Sequence, residues 1–165
     1  MDVKPLKGIA TVSIAKGEKV GAVEDIVVDT QERRVAAFKI ESGGLMRKDH
    51  CYVPFGAVQS IGDDAIMIPD ETVLTQSYGD RASGYLTLGK LGDIRVVTDT
   101  GTVIGHVTTV HFDPSAGQIT EFEVGKGGIG GVFSSHTLIG AGNVTSIGED
   151  IMVVPANSVG MGGTS

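Results

Sequence analysis

The stretch Lys19-Val20-Gly21-Ala22-Val23-Glu24-Asp25-Ile26-Val27-Val28-Asp29 decides how this chain folds. It is rich in Val and Ile, has no helical period, and ends on an Asp suited to opening a turn, so it reads as one long strand. Its apolar residues do not alternate cleanly. Val20 and Val23 lie three apart, as do Val23 and Ile26, whereas Ile26 and Val28 keep the two-residue period of a strand. An apolar face that changes phase inside one strand predicts a bulge or strong bend, as a strand needs when it turns a barrel corner. Ile104, Val107, Val110 and Phe112 repeat the same slips.

That repetition extends over most of the chain. Residues 17–44 lie over 101–128 at a constant offset of 84, matching Gly17 with Gly101, Gly21 with Gly105, Asp29 with Asp113, and Phe38 with Phe122. After a two-residue insertion the offset becomes 86, and His50 falls on His136, Gly56 on Gly142, Ser60-Ile61-Gly62 on Ser146-Ile147-Gly148, and Pro69 on Pro155. Order-preserving matches on this scale predict two homologous domains, 1–76 and 85–165, joined by a polar linker at 77–84. The copies differ in character. Residues 1–80 carry 9 basic and 13 acidic residues and 8 of the 25 Gly, leaving 4 basic, 7 acidic and 17 Gly to residues 81–165.

Composition narrows the class. With 165 residues, 41% hydrophobic and only 5% aromatic, the core must be built from Val, Ile, Leu and Ala. A net charge of −7 repels phosphates over most of the surface, which argues against nucleic-acid partners. The single Cys51 has no intramolecular disulfide partner. The N-terminus lacks a signal-peptide pattern, and no apolar run approaches the ~20 residues of a membrane span, so a cytoplasmic protein is expected.

Strands are expected at Ile9 to Ile14, Lys19 to Asp29, Arg34 to Ile40, Cys51 to Pro54 and Ala65 to Ile68. Short β runs bounded by Gly, Pro, Asp or Ser predict an all-β barrel or sandwich. Asp29 and Asp113 should each open a hairpin turn, and Pro54-Phe55-Gly56-Ala57-Val58 should form one helical turn with Phe55 and Val58 inward. The acidic pairs Asp63-Asp64 and Glu149-Asp150 read as tight-turn residues.

These runs, with Tyr52-Val53-Pro54-Phe55-Gly56-Ala57-Val58 and Ile61-Gly62-Asp63-Asp64-Ala65-Ile66, resemble the PRC-barrel family, known from the photosynthetic reaction centre H subunit and the C-terminus of a ribosome maturation factor. The second copy matches less closely: Thr109 replaces Asp25, and Gly140-Ala141 stands where Pro54-Phe55 stood. The resemblance implies two tandem six-stranded barrels with a role in binding or assembly and no general catalytic residues to transfer. It also invites an accessory role in a photosynthetic reaction centre complex.

Candidate chemistry is sparse. Gly125-Lys126-Gly127-Gly128-Ile129-Gly130 satisfies G-x-G-x-x-G, but the residues after it lead toward another β run, where a dinucleotide site needs a helix. His106 and His111 are five apart, which on a regular strand sends them to opposite faces, although the inferred bend relaxes that constraint, and His50 and His136 supply one His per barrel. No metal, cofactor or catalytic residue is therefore assigned, and a small metal- or ligand-binding protein remains the alternative, tested through His106 and His111. The loops after the Phe-containing strands are more suggestive. Leu45, Met46 and Arg47 in one, and Ile129, Val132 and Phe133 in the other, place apolar side chains where a hairpin tip is normally polar. These side chains either fold back to plug the barrel end or pack against the other domain, or else serve as the contacts for a protein partner. Membrane contact is expected only indirectly, and a homodimer is possible through free strand edges.

Overall fold

In the computed structural model, which describes residues 1–42, 49–126 and 136–158, the Val- and Ile-rich runs form the strands expected of them. The first copy holds β1 (Ala10–Ser13), β2 (Glu18–Asp29), β3 (Arg34–Ser42), β4 (Asp49–Pro54), β5 (Ser60–Ile61) and β6 (Ala65–Ile68). A connecting strand β7 (Tyr85–Thr87) and the short helix α1 (Leu88–Leu91) follow. The second copy holds β8 (Arg95–Thr98), β9 (Val103–Phe112), β10 (Ile119–Gly125), β11 (His136–Gly140), β12 (Ser146–Ile147) and β13 (Ile151–Val154). The ladders run β4-β3-β2-β1-β6-β5 and β11-β10-β9-β8-β13-β12, the same order twice, each with one parallel pair, β1 with β6 and β8 with β13. The protein is an all-β tandem of two six-stranded barrels. Among the described residues, no helix is long and apolar enough to cross a membrane.

The phase slips are bulges. Val23 pairs with Ile40 and Asp25 with Lys39, leaving Glu24 as the extra residue of β2; Val107 pairs with Val124 and Thr109 with Glu123, leaving Thr108 in β9. Two further irregularities recur at equivalent places, Val20 and Ile104 on the long strands, Ala36 and Thr120 on the strands beside them. An extra residue bends the strand and advances its face by one position, so Val23 and Ile26 both point inward although three apart. Gly21 and Gly105 lie where a long strand crosses a neighbour closely. A Cβ on Gly21 would stand 2.5 Å from the Glu41 carbonyl oxygen, and one on Gly105 would stand 2.2 Å from that of Gly125.

Local chemistry terminates the strands as expected. Asp29 Oδ1 accepts from the amides of Gln31 and Glu32, both at 3.0 Å, and Asp113 Oδ1 accepts from the Ser115 amide at 2.9 Å. Phe55–Ala57 form a single 3-10 turn, with Phe55 and Val58 packed on the core. The segment before β7 is ordered by local bonds: Asp80 caps the turn Arg81–Ser83 through the Ser83 amide at 2.8 Å.

The two barrels are fused about a pseudo-twofold axis. Val35 donates its amide to the Gly117 carbonyl at 2.8 Å, and Ile119 donates to the Arg33 carbonyl at 2.9 Å. Since Val35 corresponds to Ile119 and Arg33 to Gly117, these bonds are mates, and the antiparallel bridge between Arg34 and its counterpart Gln118 marks the axis. Around it the copies exchange their leading segments. Residues before β1 reach across to β9, with Val3 donating to the Val110 carbonyl at 3.1 Å and Phe112 to that of Met1 at 2.8 Å. In return β7, which precedes the second barrel, pairs antiparallel with β2 through Leu86 and Val28. One continuous apolar cluster results, with Phe38, Ile40 and Ile66 of the first barrel and Phe112, Phe122 and Met152 of the second in the same core.

Candidate functional site

β3 and β10 leave the axial bridge in opposite directions, because that bridge is antiparallel. Their far ends lead into the two glycine-containing loops. Leu45, Met46 and Arg47, and Ile129, Val132 and Phe133, lie outside the described residues, as does most of the G-x-G-x-x-G stretch after Lys126. The described structure at the roots of both loops is a cluster of histidine and carboxylate groups on the outer face of the sheet.

In the first barrel the cluster centres on Glu24, the bulge residue of β2. Its Oε2 lies 2.8 Å from His50 Nδ1, at the start of β4, and 3.6 Å from Lys39 Nζ on β3. Glu41 adds a second carboxylate within reach of the same histidine. The bulge matters here: it inserts a side chain between two regularly paired residues and turns the carboxylate toward β3 and β4.

In the second barrel the histidine keeps its place and the carboxylate changes strand. The counterpart of Glu24 is Thr108, and the counterpart of Lys39 is Glu123. Glu123 bridges two rings, with Oε2 3.2 Å from His111 Nε2 and Oε1 3.1 Å from His136 Nδ1. Asp2 joins them from the exchanged N-terminal segment. Its antiparallel bridge to His111 sets it beside the ring, and the buried Thr109 hydroxyl donates to its carboxylate. Donor atoms of Asp2, His111 and Glu123 all lie within 4.8 Å of one another.

The bend inferred from the sequence is what sets the spacing of the β9 histidines. The bulge at Thr108 shortens the effective separation of His106 and His111, so the opposite-face argument for a regular strand does not hold. They still do not act together. His106 stands across from Arg95 and Gly125, with Nδ1 buried and without a hydrogen-bond partner, while His111 turns to Glu123. The partner of His111 is His136, on another strand, and a residue from the first repeat completes the group. Sequence spacing carries no sign of Asp2, because strand exchange between repeats brings it there. The repeat alignment does carry one sign, the reversal of Lys39 to Glu123 at a position next to a repeated histidine.

Cys51 and Tyr78 complete the titratable groups of interest. Cys51 is half-buried beside the core, and desolvation pushes its thiol above the ordinary range. Tyr78 meets Tyr85 edge to face at a ring separation of 5.7 Å, and burial first, then the neighbouring Tyr85, raises its phenol.

No curated protein matches the chain. The PRC-barrel domain does, twice, over residues 5–74 and 87–159, which are the two copies seen in the repeat and in the paired ladders. With both barrels matched, the chain belongs to the PRC-barrel family.

Proposed function

We propose that this protein is a non-catalytic, cytoplasmic adaptor that binds a protein partner or helps assemble a complex. The observation that carries this reading is the reciprocal exchange of leading segments, which locks two barrels of a binding and assembly family into one body with a shared core. Such a body suits bridging. It holds two loop-bearing strands at a fixed separation and in opposite directions, and little conformational entropy is lost when both ends are engaged. Under this proposal Leu45, Met46 and Arg47 bind an apolar or acidic surface at one end, and Ile129, Val132 and Phe133 bind an apolar surface at the other.

Affinity capture with the wild-type chain and with the Leu45→Ser, Phe133→Ser double variant tests it. The wild type should retain a defined partner at fixed stoichiometry. The double variant, with unchanged circular dichroism and melting temperature, should lose at least about tenfold of that capture, since apolar anchors dominate such interfaces. Equal capture by the folded double variant removes the loops from the proposal.

A further inference from the structure

We propose that Asp2, His111, Glu123 and His136 form a site for a divalent transition-metal ion, with zinc as the best fit. The donor set is two imidazoles and two carboxylates, all of them zinc ligands, and it contains no thiolate that would favour a softer ion. Three of the four, Asp2, His111 and Glu123, already gather their donors closely enough to share one ion. Zinc held by nitrogen and oxygen at about 2.0–2.1 Å in a tetrahedron separates its donors by about 3.3 Å. Glu123 Oε2 stands 3.2 Å from His111 Nε2 and the Asp2 donor falls within 4.8 Å of both, while His136 Nδ1 lies 3.1 Å from the other carboxylate oxygen, Oε1.

Three features distinguish this arrangement from an ordinary surface hydrogen-bond network. The first is convergence from distant chain: Asp2 arrives with the exchanged N-terminal segment, His111 from β9, Glu123 from β10 and His136 from β11. The second is support behind a ligand, because Thr109 is buried and donates its hydroxyl to Asp2, fixing the carboxylate as an outer shell does in metal sites. The third is room for His136. Its ring lies over Gly125, where a Cβ would stand 3.3 Å from Nδ1 and 2.9 Å from the Thr108 methyl. The first barrel has Glu41 at that position.

The first barrel serves as an internal control. There Lys39 occupies the position of Glu123, and its ammonium lies 3.6 Å from Glu24. A fixed cation partly neutralises the carboxylates around His50. In the second barrel the equivalent position adds negative charge. On binding, His111 Nε2 and His136 Nδ1 would present lone pairs to the ion, so their protons shift to the other ring nitrogens or leave to solvent. His136, seated on Oε1 of Glu123 and outside the three-donor group, would have to leave that oxygen to take the fourth position.

Calorimetric titration of the full chain with zinc chloride at neutral pH, paired with the visible spectrum of its cobalt-loaded form, tests the site. The expected result is one ion per chain with a tetrahedral cobalt spectrum. Affinity should fall at least about tenfold in Glu123→Gln and in Asp2→Asn, and stay unchanged in His50→Ala. Two carboxamide variants are used so that misfolding of one, read by circular dichroism, does not decide the outcome. Absence of stoichiometric zinc binding by the wild type overturns the proposal. So does wild-type affinity in both folded carboxamide variants, or a loss of binding confined to His50→Ala.

Discussion

Where the first barrel inserts an extra residue into a ladder, at Val20, Glu24 and Ala36, the second inserts Ile104, Thr108 and Thr120. At the roots of their loops, by contrast, the barrels share a histidine and little else. Glu24, Lys39 and Glu41 surround His50, whereas Thr108, Glu123 and Gly125 surround His136, and Asp2 and His111 join the second group. The backbone departures from regularity have been kept while the side chains they display have changed. A bulge sets the phase of every later residue in its strand, so removing one would turn a buried face outward. At the Glu24 and Thr108 bulge the side chain lies in the outer-face cluster and not in the core, and there it has changed.

The junction shows the same contrast. Arg33 adopts φ 54° and its mate Gly117 φ 80°, so the left-handed turn is common to both copies. What packs beside it is not. Phe55 lies over Gly117, 3.0 Å from where a Cβ would be, and meets Phe112 edge to face at 6.1 Å. On the other side of the axis Ala141 takes the place of Phe55, and Arg33 donates to its carbonyl at 2.7 Å. A large ring against glycine on one side is balanced by a long cation against alanine on the other. The interface is therefore specific to this pairing of unlike copies.

The largest expected effect concerns whether the barrels are separable at all. Phe38 and Phe122 are mates, both fully buried in the same apolar cluster. Truncating either to Ala should cost about 3–5 kcal/mol, a large share of the roughly 5–15 kcal/mol that holds a typical domain. Because the core is continuous, each substitution should lower a single cooperative transition by a similar amount in differential scanning calorimetry. If each variant loses only one of two resolved transitions, the barrels fold independently and the strand exchange is incidental to stability.

A smaller effect separates space from backbone conformation. Gly21 and Gly105 both face a carbonyl oxygen that a Cβ would strike, but only Gly105 has a strongly positive φ, 145°. Gly21→Ala should cost about 1–3 kcal/mol through crowding, and Gly105→Ala should add roughly 1–3 kcal/mol of backbone strain. Urea denaturation of the two variants measures the difference. Equal costs would mean that close approach alone decides these positions.

Much of this architecture was legible from residue order. The phase slips in Val20 to Val28 located the bends, and the repeat located both barrels, because bulges and turns demand residue types at fixed positions. The turn Asp29, the turn Asp113 and the single helical turn at Phe55 were legible for the same reason. Strand β7 was not: Tyr85-Leu86-Thr87 is too short to carry a period, and its pairing with β2 depends on the fused arrangement. Nor was the group around Glu123. The spacing of His106 and His111 carries no sign of it, since a cluster built across four separate segments leaves no pattern along the chain. The loop residues expected to bind a partner lie outside the described residues, so the site read from sequence and the site read from structure are different places.

The smallest effect tests the point where the barrels differ by one reactive atom, Cys51 against Thr137. Cys51 sits beside the core, and burial raises its thiol above the ordinary range by penalising the thiolate. A raised acid favours the protonated form in the folded state. Its contribution is therefore fully present below the unfolded thiol value of about 8.5 and fades as pH rises through the folded value. Two outcomes follow. Alkylation by iodoacetamide should show a midpoint above that of a small free thiol, with slow reaction at neutral pH. Giving the first barrel the residue of the second, Cys51→Thr, should remove the thiol's share of the loss of stability that the wild type shows as the solution is made alkaline, leaving the share of the raised Tyr78 phenol. A midpoint at or below that of a free thiol would mean that burial does not control this position. Cys51 would then be a reactive group that one barrel has and the other lacks.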